Sequence, residues 1–228
     1  MMDAVKPPRR YYSPRRQQQA AETRRAILEA AQRLFERQGY PLTTMDSVAA
    51  EAGVALKTVY LAFTTKSGLL RAVWDLLLKG DEDVAPVAAR AWYRAILDEP
   101  DPERQLRLTA HHACVVKRRI GPILRVIRDA AVVDPDCAAL WNLIQSDFHD
   151  NQAVIVRGLD ANRGLRDGLD VGRATDILWT LNHPDLWLLL VGQRGWTPEQ
   201  FEQWFADSAC AMLLNRPSRP RFTSIDGR

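Results

Sequence analysis

Apolar residues recur at helical spacing along nearly the whole chain. The first clear stripe is Ile27, Leu28, Ala31, Leu34 and Phe35, which falls on one helix face because 3.6 residues complete a turn. Gly39 and Pro41 close that helix. A second, shorter helix is expected after Thr43 and Thr44, with Val48, Ala49 and Ala52 facing inward. Gly53 interrupts the pattern, and a third short helix runs from about Leu56 to Phe63. Thr65 offers a side-chain oxygen as N-cap for a longer helix through Leu69, Leu70, Val73, Trp74 and Leu77.

Beyond Gly80 the segments near 86–97, 102–119, 121–131, 136–159, 171–191 and 198–214 carry the same repeat. Pro86, Pro102, Pro122 and Pro198 fall where first-turn prolines are tolerated. His183-Pro184 interrupts an otherwise apolar helix, either to line a cavity or merely to kink it. No stretch alternates with the period of two that a half-buried strand requires. The pattern predicts an all-α chain of nine to ten helices: an N-terminal three-helix helix-turn-helix domain and a larger helical body.

Composition narrows the function classes. The chain has 228 residues and 46% hydrophobic content, too apolar for a disordered protein and long enough for a sizeable core. Its longest apolar run, Leu186 to Val191, is far short of the ~20 residues of a membrane helix. Cys114, Cys137 and Cys210 are odd in number and unpatterned, so they read as reduced thiols of a cytoplasmic protein. Arg9-Arg10 is followed by Gln17, Gln18 and Gln19 rather than an apolar export segment. Charge is uneven: residues 1–80 hold 13 Lys and Arg against 7 Asp and Glu, whereas the remainder is net acidic. A basic front suggests an anionic partner at one end only.

The chemistry concentrates between Thr44 and Leu70. Two short helices joined through Ala52-Gly53-Val54 have helix-turn-helix character, and the second carries Lys57, Thr58 and Tyr60 near its start. Such positions reach base edges in the major groove, while flanking hydroxyls and ammonium groups hold phosphates. The elements TRRAILEAAQRLFERQGY, VAAEAGV and KTVYLAFTTKSGLL, together with a closing run GQRGWTPEQFEQWFADSACAMLL, resemble the tetracycline-repressor (TetR) family of bacterial transcription regulators. The DNA-domain motif covers about a fifth of the chain.

The resemblance implies that Thr44 binds a phosphate through its hydroxyl or amide, and that Lys57 and Thr58 touch base edges or nearby phosphates. It also implies phosphate contacts for Tyr60 and Lys66. Three departures reduce the polar groups facing the groove: Ala55 stands in place of the usual Ser cap, and Leu56 and Leu61 replace polar or basic residues. Thymine-methyl contacts and a basic tail containing Arg9, Arg10, Arg15 and Arg16 then contribute more to specificity.

The expected organisation is a disordered basic arm over 1–21, the DNA-binding domain over 22–66, a ligand-binding and dimerisation body over 67–214, and a loose tail over 215–228. Candidate pocket residues are Trp92, Tyr93, His111, Trp141, Phe148, Trp179 and His183. The dimer interface is expected to use Ile177, Leu178, Leu181, Leu188 and Leu189, with Trp204, Phe205, Met212 and Leu213 on the next helix. The expected partners are operator DNA, a small-molecule effector and a second copy of the chain, with no membrane. His111, His112 and Cys114 lack an assignable further metal ligand. No cofactor, metal or catalytic residue is expected. The rival readings are a helical small-molecule-binding protein or enzyme without operator binding, and an activator on the same fold.

Overall fold

The computed structural model describes residues 14–80 and 90–215. They divide into two compact units, one ending at Val73 and the other beginning at Trp74. Arg9, Arg10, Pro86 and all of the expected C-terminal tail except Asn215 lie outside the described residues.

The first unit consists of α1 (Pro14–Leu42), α2 (Met45–Ala52), α3 (Leu56–Phe63) and the start of α4 (Lys66–Lys79). The stripe read from the sequence is its core: Ile27, Ala31, Leu34 and Phe35 are buried together with Val48, Ala49, Val59, Phe63, Leu69 and Leu70. Helix α1 begins at Pro14, upstream of where the apolar pattern starts. Proline suits a first turn, and i,i+4 pairs such as Gln18 with Glu22 at 3.0 Å support the early turns. Arg15 and Arg16 therefore stand exposed on a helix instead of in a disordered arm.

Gly39 breaks α1 with φ 76° and ψ 176°, a backbone region that only glycine occupies readily. The turn it makes is held by Thr43, fully buried, whose Oγ1 donates to the Gly39 carbonyl at 2.8 Å. A Cβ at position 39 would meet only the Pro41 Cδ, at 3.7 Å. Gly39→Ala is thus expected to cost backbone strain without a clash, about 1–3 kcal/mol. A lower urea midpoint at unchanged slope is the expected readout.

The second unit contains α5 (Ala91–Leu97), α6 (Pro102–Ala130), α7 (Pro135–Ala161), α8 (Val171–Leu181), α9 (Pro184–Trp187), a π-helical turn over Leu188–Gln193 and α10 (Pro198–Leu213). Asp101, Asp134 and Thr197 each cap a helix whose next residue is proline, the arrangement that satisfies first-turn N–H groups at little cost. Where two helices were expected over 102–131, one continuous helix forms and Pro122 lies inside it. Burial of the flanking Ile120, Ile123 and Leu124 outweighs the hydrogen bond that proline removes. Over 171–191 the helix is broken at Asn182-His183, where the sequence places the His183-Pro184 interruption. Among the described residues there is no strand, only a single bridge between Leu165 and Leu214.

Helices α6, α7, α8 and α10 enclose the core of this unit, with Leu106, Val156, Leu159, Phe201 and Phe205 at its centre. Leu178, Leu181, Phe205 and Leu213 belong to this core. They are corrected from the expected dimer interface, since side chains that fill one protomer's interior have no surface to offer a second copy. Leu189 and Met212 are exposed, while Ile177, Leu188 and Trp204 are half-buried.

Candidate nucleic-acid interface

Thr44 opens α2 with a capping box: its Oγ1 accepts the Ser47 N–H at 3.0 Å and its own N–H reaches Ser47 Oγ at 3.0 Å. This fixes the helix terminus, where amides and dipole together favour an anion. Gly53 ends α2 in the left-handed region, φ 66° and ψ 33°, with its N–H on the Ala49 and Ala50 carbonyls. No atom lies within 4 Å of where a Cβ would be, so conformation alone calls for glycine there. Helix α3 follows at once, and Ala55 supplies no side-chain cap.

The amphipathicity of α3 sorts its residues. Val59 and Phe63 point into the core, and Leu56, Lys57, Tyr60 and Leu61 point outward. Leu61 is 77% exposed, so it is presented, not packed. Thr58 is half-buried, and Thr44 is exposed one element earlier. Arg25 and Arg33 on α1 are engaged by Glu29 at 3.0 Å and Glu51 at 3.1 Å, whereas Lys57 has no ion-pair partner among the described residues. Thr44, Lys57, Tyr60 and Leu61 are all exposed and offer a cation, two hydroxyls and an apolar side chain, which suits a groove and its phosphate rims.

Lys66, expected on a phosphate, is half-buried at the start of α4. Its Nζ donates to the Tyr40 carbonyl at 2.9 Å and lies 4.1 Å from the Tyr40 ring centroid. The ammonium ties the start of α4 to the end of α1 and so positions the helices around α3. Lys66→Met is expected to destabilise this unit by about 1–2 kcal/mol, seen as an earlier thermal transition. Arg24, which the sequence reading missed, makes the matching tie to α3, with Nη1 on the Ala62 carbonyl at 3.0 Å and the guanidinium 4.2 Å from the Phe63 ring centroid. Nothing in its spacing separates it from an ordinary solvated arginine.

In the second unit the expected pocket residues separate into groups. His111 turns outward to Glu202 Oε1 at 3.1 Å and is corrected from the pocket. It is His112 that stacks on Trp92, at 5.0 Å. Cys114 is buried, and burial pushes its thiol up to about 11; among the described residues no three His, Cys, Asp or Glu side chains are grouped to hold a metal ion. Tyr93 is buried with its hydroxyl donating to the Asn151 carbonyl at 3.4 Å. Trp141 is half-buried and makes no ring contact with the others among the described residues. Trp179 and His183 meet edge-on at 4.8 Å, and Phe148 lies nearby through a residue the sequence reading passed over. That residue is Lys117, buried, with Nζ on Asn182 Oδ1 and 5.5 Å from the Phe148 ring centroid. Burial holds its pKa down at about 7, with the Cys114 thiol opposing. Its signal was legible: Leu106, Ala110, Cys114, Lys117, Gly121 and Leu124 form one stripe, and only one member is charged.

A capped short helix, a left-handed glycine turn and a second short helix with an outward polar face define a helix-turn-helix DNA-binding protein with a separate helical body. The family model described as "Bacterial regulatory proteins, tetR family" matches residues 27–73. The HTH-type transcriptional regulator TtgR of Pseudomonas putida is 34% identical over 166 residues, 70% of this chain and 76% of that protein. The chain belongs to the TetR family of bacterial transcriptional regulators. Among solved structures, NalD of Pseudomonas aeruginosa, the secondary repressor of the MexAB-OprM multidrug efflux pump, has a TM-score of 0.64 at 22% identity. That match covers 86% of this chain and 98% of NalD. SmeT in complex with triclosan has a TM-score of 0.62 at 20% identity, covering 85% of this chain and 92% of SmeT.

Proposed function

We propose that this regulator is a homodimeric repressor that leaves its operator when a small molecule binds the second unit. The outward face of α3, with Lys57 and Tyr60 unburied beside the capped start of α2, carries the proposal. Lys57 and Thr58 read base edges, and Thr44 and Tyr60 hold phosphates. Arg15 and Arg16, exposed on the first turns of α1, add backbone contacts together with the preceding Arg9 and Arg10. A second copy docks through the surface bearing Leu189 and Met212. Dimerisation gives two recognition helices, which need half-sites about one helical turn, ~34–36 Å, apart.

Release follows if the effector binds the DNA-incompetent arrangement of the dimer more tightly than the competent one. The loss of operator affinity equals that difference and no more. Helix α4 runs from one unit into the other, which makes it the covalent route for the change. NalD supports the repressor reading as an efflux-pump repressor, and SmeT supports a ligand-binding body through its triclosan complex. Cys114 and Cys210 are free thiols, in keeping with a cytoplasmic regulator. No helix among the described residues is long and apolar enough to cross a membrane. A gel shift of the protein's own upstream DNA, at fixed salt and against an unrelated duplex, tests the proposal. Specific retardation is expected, and equal affinity for both duplexes contradicts it.

A further inference from the structure

Lys117 interrupts the apolar stripe of α6 at the centre of the second unit. It is 3% exposed, and its Nζ lies 5.8 Å and 6.0 Å from the ring centroids of Phe201 and Phe205, beyond the Phe148 contact already described. Asn182 Oδ1 is its hydrogen-bond acceptor, and no carboxylate is within ion-pairing reach among the described residues. A buried ammonium without a counter-ion costs several kcal/mol, and a methionine would fill the same volume without that cost. For folding alone, then, lysine is the wrong residue here.

The Asn182-His183 break between α8 and α9 gathers further polar groups. His183 Nδ1 accepts the Asp185 N–H at 3.2 Å. Burial also lowers the pKa of the ring, so the neutral imidazole carries its hydrogen on Nε2 and donates to Gln145 Oε1 at 2.8 Å. That fixes the Gln145 amide, whose buried Nε2 is left with no acceptor. The buried Trp179 Nε1, on the ring that meets His183, also has none. The corner therefore holds the Lys117 amine and two unpaired N–H donors among aromatic rings, while the Asp185 carboxylate at its edge, 3.7 Å from His183 Nδ1, is already held by Arg128 at 2.7 Å. Buried polar atoms are nearly always paired, and an anionic oxygen complements both the unpaired N–H groups and the Lys117 ammonium.

We infer that the Asn182-His183 corner binds an effector bearing a carboxylate or phenolate on a flat aromatic body, with Lys117 as its anchor. The inference rests on the reading of the second unit as the effector-binding body and names the chemistry of that effector. The anion takes the ammonium and the orphaned donors, and the aromatic body takes the place of apolar contacts between the rings. A cationic ligand sets like charges against each other and leaves every donor unmatched.

Calorimetric titration of the full-length protein, without DNA, tests it with three probes sharing one ring system: 2-naphthoate, 2-naphthalenemethanol and 2-naphthylmethylammonium. Naphthoate is expected to bind about tenfold or more tighter than the alcohol, and the ammonium compound to show no binding. Lys117→Met should weaken naphthoate about tenfold or more while moving the alcohol by no more than about threefold. Should that variant lose its native circular dichroism, Trp179→Phe carries the test, with an expected loss of about threefold or more in naphthoate affinity. Equal affinities for naphthoate and alcohol, no binding of naphthoate, or undiminished binding by whichever variant carries the test each overturn the inference. Operator binding by the same preparation is scored separately. A protein that takes naphthoate through Lys117 and ignores DNA keeps this inference and loses the repressor reading.

Discussion

Lys117→Met is expected to stabilise the protein at pH 7, with an advantage over wild type that shrinks as the pH rises. The lysine has a pKa of about 7 in the folded chain against an ordinary 10.5. Between those values the unfolded chain keeps a proton that the folded chain has released, so wild-type stability climbs with pH through that window. At about 1.36 kcal/mol per pKa unit, the gain from pH 7 to pH 10 is on the order of 3 kcal/mol. Below pH 7 both states hold the proton, and this group adds no further change. The methionine variant lacks the contribution but keeps the neighbouring Cys114 thiol and His183, so the difference between the two proteins isolates Lys117. Denaturant midpoints for both at pH 7 and pH 9.5 measure it. A difference that stays flat with pH means that Lys117 titrates as an ordinary surface lysine.

The second large effect is expected on the outer face of α3, where loss of a base contact and loss of a phosphate contact leave different signatures. Lys57→Ala should cost about 1–3 kcal/mol of operator affinity and relax the preference at one or two base pairs. Non-specific binding should change far less. Tyr60→Phe removes one hydroxyl and no charge, so specific and non-specific affinities should fall together by about 1 kcal/mol. Because no counterion is involved, the slope against salt should stay as in wild type. Titrations across a salt series separate the two. An unchanged operator affinity in both variants would remove α3 from the interface.

Much of this arrangement was legible in the residues. The 27–35 stripe specifies the core of the first unit, and Gly39, Thr44, Gly53 and Thr65 mark its helix breaks and starts, each with its own local chemistry. Helix boundaries in the body were harder, since Pro122 reads as a start signal and only tertiary packing carries α6 through it. Leu178, Leu181, Phe205 and Leu213 show a deeper limit. An apolar stripe announces that a face is covered and is silent on whether the cover comes from the same chain. Lys66 and His111 show a related limit, because a polar side chain on a helix carries no sign of whether Tyr40, Glu202 or solvent receives it. The Lys117 position was readable as a charge in an apolar stripe, but Asn182 and the three phenylalanines that surround it come from α7, α10 and the break after α8, which no local pattern joins.

The central claim is that the α2–α3 face of a two-fold dimer reads an operator, and hydroxyl-radical footprinting on the gene's own upstream region tests it most directly. The expected result is two protected patches related by symmetry, with centres about one helical turn, ~34–36 Å, apart or a multiple of that spacing. Both patches should vanish in a Lys57→Ala, Tyr60→Ala double variant that keeps its helical circular dichroism. Uniform, weak protection along the whole duplex, equal in wild type and variant, would contradict the account.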